Sequence, residues 1–192
     1  MSEIDEEKIH FTEEQTIEVE EKDNVERILD IGGGGEGIIS QIYEDIVVAI
    51  DLSEEELKET PSNESLKIIM DACQLKFLDE QFDTVTSFFT LMYINNKDLN
   101  QVFKEVKRVL KPGGKFLIWD LKIPEKTEKD KYIFATRLKV KFKNKSIETG
   151  YGTLWEDNEQ DIDKFSDLAD QNDLEVIRQR QGEQYFYLEI KK

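Results

Sequence analysis

One cysteine, one histidine and three prolines are all that this chain of 192 residues contains of those types. A lone Cys73 can form no internal disulfide and cannot supply the several thiolates of a structural zinc site, which fits a reducing compartment. A lone His10 in an acidic surrounding gives little support to a metal centre or a catalytic triad, so no metal is expected. Long apolar runs are missing too. None approaches the ~18 to 20 residues needed to cross a bilayer, and the opening MSEIDEEK is not a basic-then-apolar signal. A cytoplasmic protein with no membrane contact is expected. Positive charge is scarce: 26 Lys and Arg stand against 43 Asp and Glu, a net charge of -17 that repels a phosphate backbone. Nucleic acid is therefore disfavoured as a partner, and the acidity reads first as a solvated surface.

What is present is a rhythm. Residues 1–24 carry ten carboxylates against two lysines and are expected to be an acidic tail, with a short alternating stretch at Thr16, Ile17, Glu18 and Val19 able to form an edge strand. From Val25 the pattern changes to ERILDI, glycines, a short helix to about Tyr43, and the apolar run IVVAID at 46–51. Parallel strands require such a helical crossover, and strands buried on both faces read as continuous apolar runs. A helix capped by Ser53, strands at 66–71 and from Phe82, and a helix carrying Leu99, Val102, Phe103, Val106, Val109 and Leu110 follow. That helix stops before Pro112, and Gly113 and Gly114 turn into a fifth strand, KFLIWDL. Beyond Pro124 two extended segments flank Asn144 and Lys145, predicting an inserted hairpin over 132–155. A helix over about 159–171 and a closing hairpin around Gly182 and Glu183 complete the chain. The expectation is one α/β domain over 25–192, doubly wound, with an antiparallel strand at the sheet edge.

The chemistry gathers at the carboxyl ends of these strands, where doubly wound sheets bind ligands. Gly32, Gly34 and Gly37 fit GxGxxG between a strand and a helix, a turn where backbone N–H groups can approach a ligand that a Cβ would obstruct. Alone the motif is weak, because dinucleotide enzymes share it and it is also a permissive turn. Asp51 ends the second strand 19 residues after Gly32, near the offset of about 20 expected for a carboxylate that binds ribose hydroxyls. Capping the next helix is its other reading, a role that Ser53 already fills.

Four segments together, ILDIGGGGEG, VVAIDLS, DACQLKFLDEQFDTV and VKRVLKPGGKFLIWDL, resemble class I S-adenosylmethionine-dependent methyltransferases of the small-molecule, ubiquinone-biosynthesis-like group. The resemblance runs from about Val25 to Leu121 and implies a Rossmann-like sheet of seven strands, mostly parallel. It implies that Asp30, Gly32 and Gly34 hold the methionine end of the cofactor, that Asp51 binds its ribose and that Leu52 lies against its adenine. It further implies adenine recognition by Asp71 and Ala72, with Thr90 and Leu91 lining the methionine moiety. The family writes its loop GxGxG, and here Glu36 occupies the third glycine position. Lys76 stands where LPF is common, and Met92-Tyr93 where this group often has a histidine pair. Relatives place a longer helical lid before the first strand, and the 132–155 hairpin is the candidate for that cover.

Methyl transfer from a sulfonium depends chiefly on proximity and alignment, so no nucleophilic side chain is obligatory. An amine or hydroxyl acceptor must lose a proton, which makes Tyr93 and Asp120, after the fourth and fifth strands, the catalytic candidates. Packing is the alternative for Tyr93, and capping the strand end for Asp120. Tyr151 and Trp155 of the hairpin wall either a substrate pocket or an interface, or pack locally. The post-strand segment FFTL lacks the Asn-Pro-Pro-aromatic pattern resembling enzymes that methylate base nitrogens or glutamine amides. The leading expectation is methyl transfer to a small molecule. Its rivals are a non-catalytic cofactor-binding module and a nicotinamide-dependent oxidoreductase, and a homodimer through the hairpin or closing strands stays open.

Overall fold

The structure, a computed structural model, describes residues 5–61 and 64–192. In chain order it comprises β1 (Ile9–Phe11), β2 (Gln15–Glu18), β3 (Ile28–Ile31), α1 (Ile38–Tyr43), β4 (Val47–Asp51), α2 (Glu54–Glu59) and β5 (Leu66–Ile69). There follow β6 (Phe82–Phe88), α3 (Asn96–Val109), β7 (Leu110–Leu121), β8 (Ile133–Phe142), β9 (Lys145–Leu154), α4 (Ile162–Gln171), β10 (Glu175–Gln181) and β11 (Tyr185–Lys191). Seven strands form one sheet in the order β10-β11-β7-β6-β3-β4-β5. β3 to β7 are parallel to their neighbours, and the closing hairpin adds β11 antiparallel to β7. This is the Rossmann-like, mostly parallel sheet that the alternation of strands and helices implies.

The two faces of that sheet are covered differently. On one side Leu99, Val102, Phe103 and Val106 of α3 and Phe165 and Ala169 of α4 pack against Leu29, Val85, Phe116 and Leu188. Their spacing of three and four residues puts them on a single helical stripe. On the other side Ile38, Ile39 and Ile42 of α1 cover only part of the sheet, and a second sheet covers the rest. In that second sheet β8 pairs antiparallel with β9, and along its other edge it pairs parallel with both β1 and β2. Phe134, Leu138, Val140 and Trp155 from it meet Leu117, Trp119 and Leu121 of β7.

The segment expected as an acidic tail therefore contributes two strands. Gln15, Ile17 and Val19 are buried while Thr16 and Glu18 face solvent, so the period-two pattern, short as it is, decides over the charge. His10 packs there against the rings of Phe134 and Trp155, and its Nδ1 lies 2.6 Å from Glu128.

Several boundaries shift by a few residues. α3 ends at Val109 and Leu110 already belongs to β7, which passes through Gly113 at φ +77° with an irregular register opposite Phe82–Thr84. β5 ends at Ile69, which leaves Asp71 in the turn beyond it. The β8–β9 connection is Lys143-Asn144, with Lys143 at φ +48°. α4 starts at Ile162, where Asp161 accepts a hydrogen bond from the Lys164 N–H at 3.0 Å. Among the described residues no helix is long and apolar enough to cross a membrane.

Candidate functional site

A cavity of about 880 Å³ opens at the carboxyl ends of β3, β4 and β6 and beside the turn after β5. β3 runs straight into the glycine loop, whose Gly32 and Gly33 N–H groups donate to the Ile50 carbonyl at 2.8 and 3.0 Å. Gly32 has φ +70°, and a Cβ on it would fall 2.2 Å from the Thr90 side chain. On Gly34 a Cβ would fall 2.5 Å from the Glu56 Cβ and 2.9 Å from Asp51 Oδ2. The loop thus presents bare backbone to the cavity because its surroundings leave no room for a side chain.

Gly32, Gly34, Asp51, Leu52, Asp71, Ala72, Thr90 and Tyr93 all line this cavity. Asp51 Oδ1 accepts from the Ser53 N–H at 2.8 Å, and Ser53 Oγ in turn caps α2. Asp71 Oδ1 accepts from the Cys73 N–H at 2.8 Å. Cys73 is half-buried, and burial, followed by the Asp71 charge, pushes its thiol up to about 11, so it is no nucleophile at neutral pH. Among the described residues no cluster of His, Cys, Asp and Glu is arranged to hold a metal ion.

Three expected site residues lie outside the cavity lining. Leu91 is wholly buried in the core. Asp30 sits beneath the loop, 2% exposed, where its Oδ1 accepts from the Thr86 hydroxyl at 2.7 Å. Burial pushes its carboxyl up to about 7, against the lowering hydrogen bond from Thr86 and with a further push from the Asp51 charge. Asp120, the candidate base, is fully buried and accepts from the N–H groups of Met92 and Leu121 and from Gln160 Nε2, at 3.2, 2.7 and 2.9 Å. Its role changes accordingly. It ties the turn Leu91–Tyr93 to the end of β7 and acts as a positioning residue, because its side chain turns into the protein and not toward the cavity.

Tyr93 does reach the cavity and is 54% exposed. Burial of its hydroxyl, reinforced by the Asp120, Glu36 and Glu56 charges, pushes it up to about 12. At neutral pH it is a hydrogen-bond donor and a poor base.

The roof is the inserted hairpin. Tyr151 of β9 donates its hydroxyl to Glu36 Oε2 at 2.9 Å, and the Thr149 hydroxyl donates to Glu36 Oε1. The Tyr151 ring stacks on Phe89 with centroids 5.1 Å apart and meets Phe88 edge-on at 6.3 Å. Phe88, Phe89 and Glu36 are site residues that the sequence reading did not place there, although Glu36 stood out as the break in the glycine pattern. Trp155 lies instead in the core between the sheets, where its Nε1 donates to the Pro124 carbonyl at 2.8 Å. Carboxylates crowd the floor: Glu56 is pushed up by burial and then by Glu59, Asp51, Glu36 and Glu55.

Residues 29–118 match the family model for a methyltransferase domain, a stretch that runs from β3 into β7 and includes the glycine loop, Asp51, Asp71 and Tyr93. Over this stretch, just under half of the chain, the sequence is similar to methyltransferase domains. The chain is 35% identical over 103 residues to the sterol 4-C-methyltransferase strm-1 of Caenorhabditis elegans, covering 48% of this chain and 30% of that protein. It is 38% identical over 93 residues to the ubiquinone/menaquinone biosynthesis C-methyltransferase of Rickettsia peacockii, covering 44% of this chain and 37% of that one. The chain thus spans well under half the length of these relatives. A solved S-adenosylmethionine-dependent methyltransferase from Methanosarcina mazei superimposes with a TM-score of 0.63 over 86% of this chain and 92% of that one, at 20% identity. That similarity shows a shared fold.

Proposed function

We propose that this chain is an S-adenosylmethionine-dependent methyltransferase acting on a small-molecule acceptor. One observation carries the reading: a glycine loop with no room for a Cβ, flanked by Asp51 and Asp71, opens into a cavity of about 880 Å³ at the carboxyl ends of parallel strands. Bound S-adenosylmethionine would supply a methyl group already activated on a sulfonium.

The chain's own residues bind and orient. Gly32 and Gly34 let backbone reach the amino-acid end, with Asp30 bracing the loop from below. Asp51 accepts from the ribose hydroxyls, Leu52 borders the adenine, and Asp71 with Ala72 receives its exocyclic amine. Thr90 flanks the methionine chain, with Leu91 packed behind it. Six carboxylates and no Lys or Arg among the described lining residues give the cavity a field that favours a ligand carrying a sulfonium. The roof of Tyr151 excludes water, and the walls hold the acceptor in line, where proximity supplies most of the rate. The names of the matched relatives, which methylate sterols and biosynthetic quinones, support a small molecule as acceptor.

Calorimetric titration with S-adenosylmethionine and, separately, with NADH tests the cofactor. Binding of S-adenosylmethionine that weakens at least roughly tenfold in Asp51→Ala is expected, from the loss of hydrogen bonds to a charged acceptor. Preferential binding of NADH would sink the proposal. Transfer of labelled methyl to a metabolite extract then separates an enzyme from a binding module, which tight binding without any transfer would indicate.

A further inference from the structure

We infer that the acceptor taken by this cavity is an amine, held between the Glu36 carboxylate and the rings of Tyr151 and Tyr93, with the buried Phe88 and Phe89 backing Tyr151. The inference rests on the methyltransferase reading above and adds the chemistry of the second substrate.

Glu36 is the starting point, because the cofactor assignment leaves it without a task. It occupies the place where the resembling family carries a glycine, and the loop would be simpler without a side chain there. Its carboxylate is half-buried and receives two hydroxyl donors, Thr149 and Tyr151, from the hairpin roof. No lysine, arginine or histidine forms an ion pair with it among the described residues. An ionised carboxylate can accept about four hydrogen bonds, so two hydroxyls leave acceptor capacity for another donor. A partly desolvated, uncompensated carboxylate beside a cavity attracts a cation or an N–H donor.

The rest of the wall points the same way. The chain has 26 Lys and Arg, yet none lines the cavity among the described residues, whereas Glu36, Asp51, Glu56, Glu59, Asp71 and Asp98 do. A carboxylate or phosphate acceptor would enter this field against repulsion, and a neutral hydroxyl would gain nothing from it. Next to Glu36, Tyr151 stacks on Phe89 and meets Phe88, and Tyr93 stands half-exposed across the opening. Ring faces attract ammonium groups through their quadrupole and also pack the apolar remainder of an arylalkyl or alkyl amine. The field that gathers a protonated amine also holds its proton in place, so a base must lie within reach. Glu36 is that base. The bound ammonium first gives one proton to the Glu36 carboxylate, which frees the nitrogen lone pair. That pair forms the N–CH3 bond as the CH3–S bond breaks, and the bonding pair stays on sulfur as the neutral thioether. The product leaves as a methylammonium, and Glu36 returns its proton to water.

Three probes of one shape test this: phenethylamine, 2-phenylethanol and phenylacetate, each titrated into the full chain saturated with S-adenosylhomocysteine and followed by ligand-observed NMR. Phenethylamine is expected to bind at least roughly tenfold more tightly than the alcohol, with phenylacetate weakest. Glu36→Gln keeps an oxygen for the roof hydroxyls and removes the charge; it should erase most of the amine advantage while leaving the alcohol's affinity in place. Equal binding of the three probes, or tightest binding of phenylacetate, overturns the inference and needs no variant. The two readings fail separately: amine preference without any S-adenosylmethionine binding would overturn the methyltransferase reading, and cofactor binding without amine preference would overturn this one.

Discussion

At the scale of single residues the buried carboxyls give the sharpest expectations. Asp120 titrates near 7 in the folded chain against an ordinary 3.8, with burial the dominant cause. The folded state therefore keeps a proton that the unfolded state releases. The stability this contributes is complete below the unfolded value and is lost as pH rises through about 7, at up to about 1.4 kcal/mol per pH unit for each such carboxyl. Asp120→Asn carries no titrating proton, so thermal melts between pH 4 and 8 should show a flatter fall in the variant than in the parent chain. Equal slopes would mean that Asp120 is ionised in the fold. Gly32→Ala forces a side chain onto φ +70° and against Thr90. A loss of about 1 to 3 kcal/mol in urea unfolding is expected, together with weakened cofactor binding. An unchanged midpoint would show that Thr90 can move aside. Sequence and structure part company at this scale for a simple reason. A strand-terminal aspartate looks the same in sequence whether it faces a cavity, as Asp51 does, or turns inward, as Asp120 does. Period and spacing locate the strand end, and only the neighbours Met92, Leu121 and Gln160 decide the direction.

Among elements, the parallel strands were legible because each is a run of apolar residues punctuated by glycine or an acid. The hairpin was legible by its two extended segments. Its docking was not: Tyr151 and Glu36 are 115 residues apart, and no local pattern announces a hydrogen bond between them. The same holds for β1 and β2, three and four residues long, whose alternation is diluted by carboxylates. Tyr151→Phe retains the stacked ring and deletes the donor to Glu36, so it should cost about 1 to 2 kcal/mol. It should also speed hydrogen exchange in β9 while leaving β6 protected; uniform protection would show that Tyr151 does not fasten the roof. Removing residues 1–20 uncovers the edge of β8 and deletes the buried Ile17 and Val19. The expected loss exceeds about 3 kcal/mol, with increased binding of an apolar dye. A truncated chain as stable as the parent would return this segment to the status of a tail.

Over the whole molecule, self-repulsion from a net charge of -17 opposes compactness. Melting temperature should therefore rise when sodium chloride goes from about 20 mM to about 0.5 M, a range over which screening shortens from tens of ångströms to a few. A falling melting temperature would mean that attractive pairs such as Lys115–Glu189 outweigh the repulsion. The pairing of β8 has a further consequence during synthesis. Ile9 pairs with Ile133 and Gln15 with Leu138, so β1 and β2 leave the ribosome and wait for a partner made more than a hundred residues later. Contacts this distant in sequence fold slowly, and an unpaired apolar strand in the meantime is an aggregation hazard. The carboxylates around Ile17 and Val19, which dilute the alternation of these strands, are residues of the kind that keep an unpaired apolar strand dissolved.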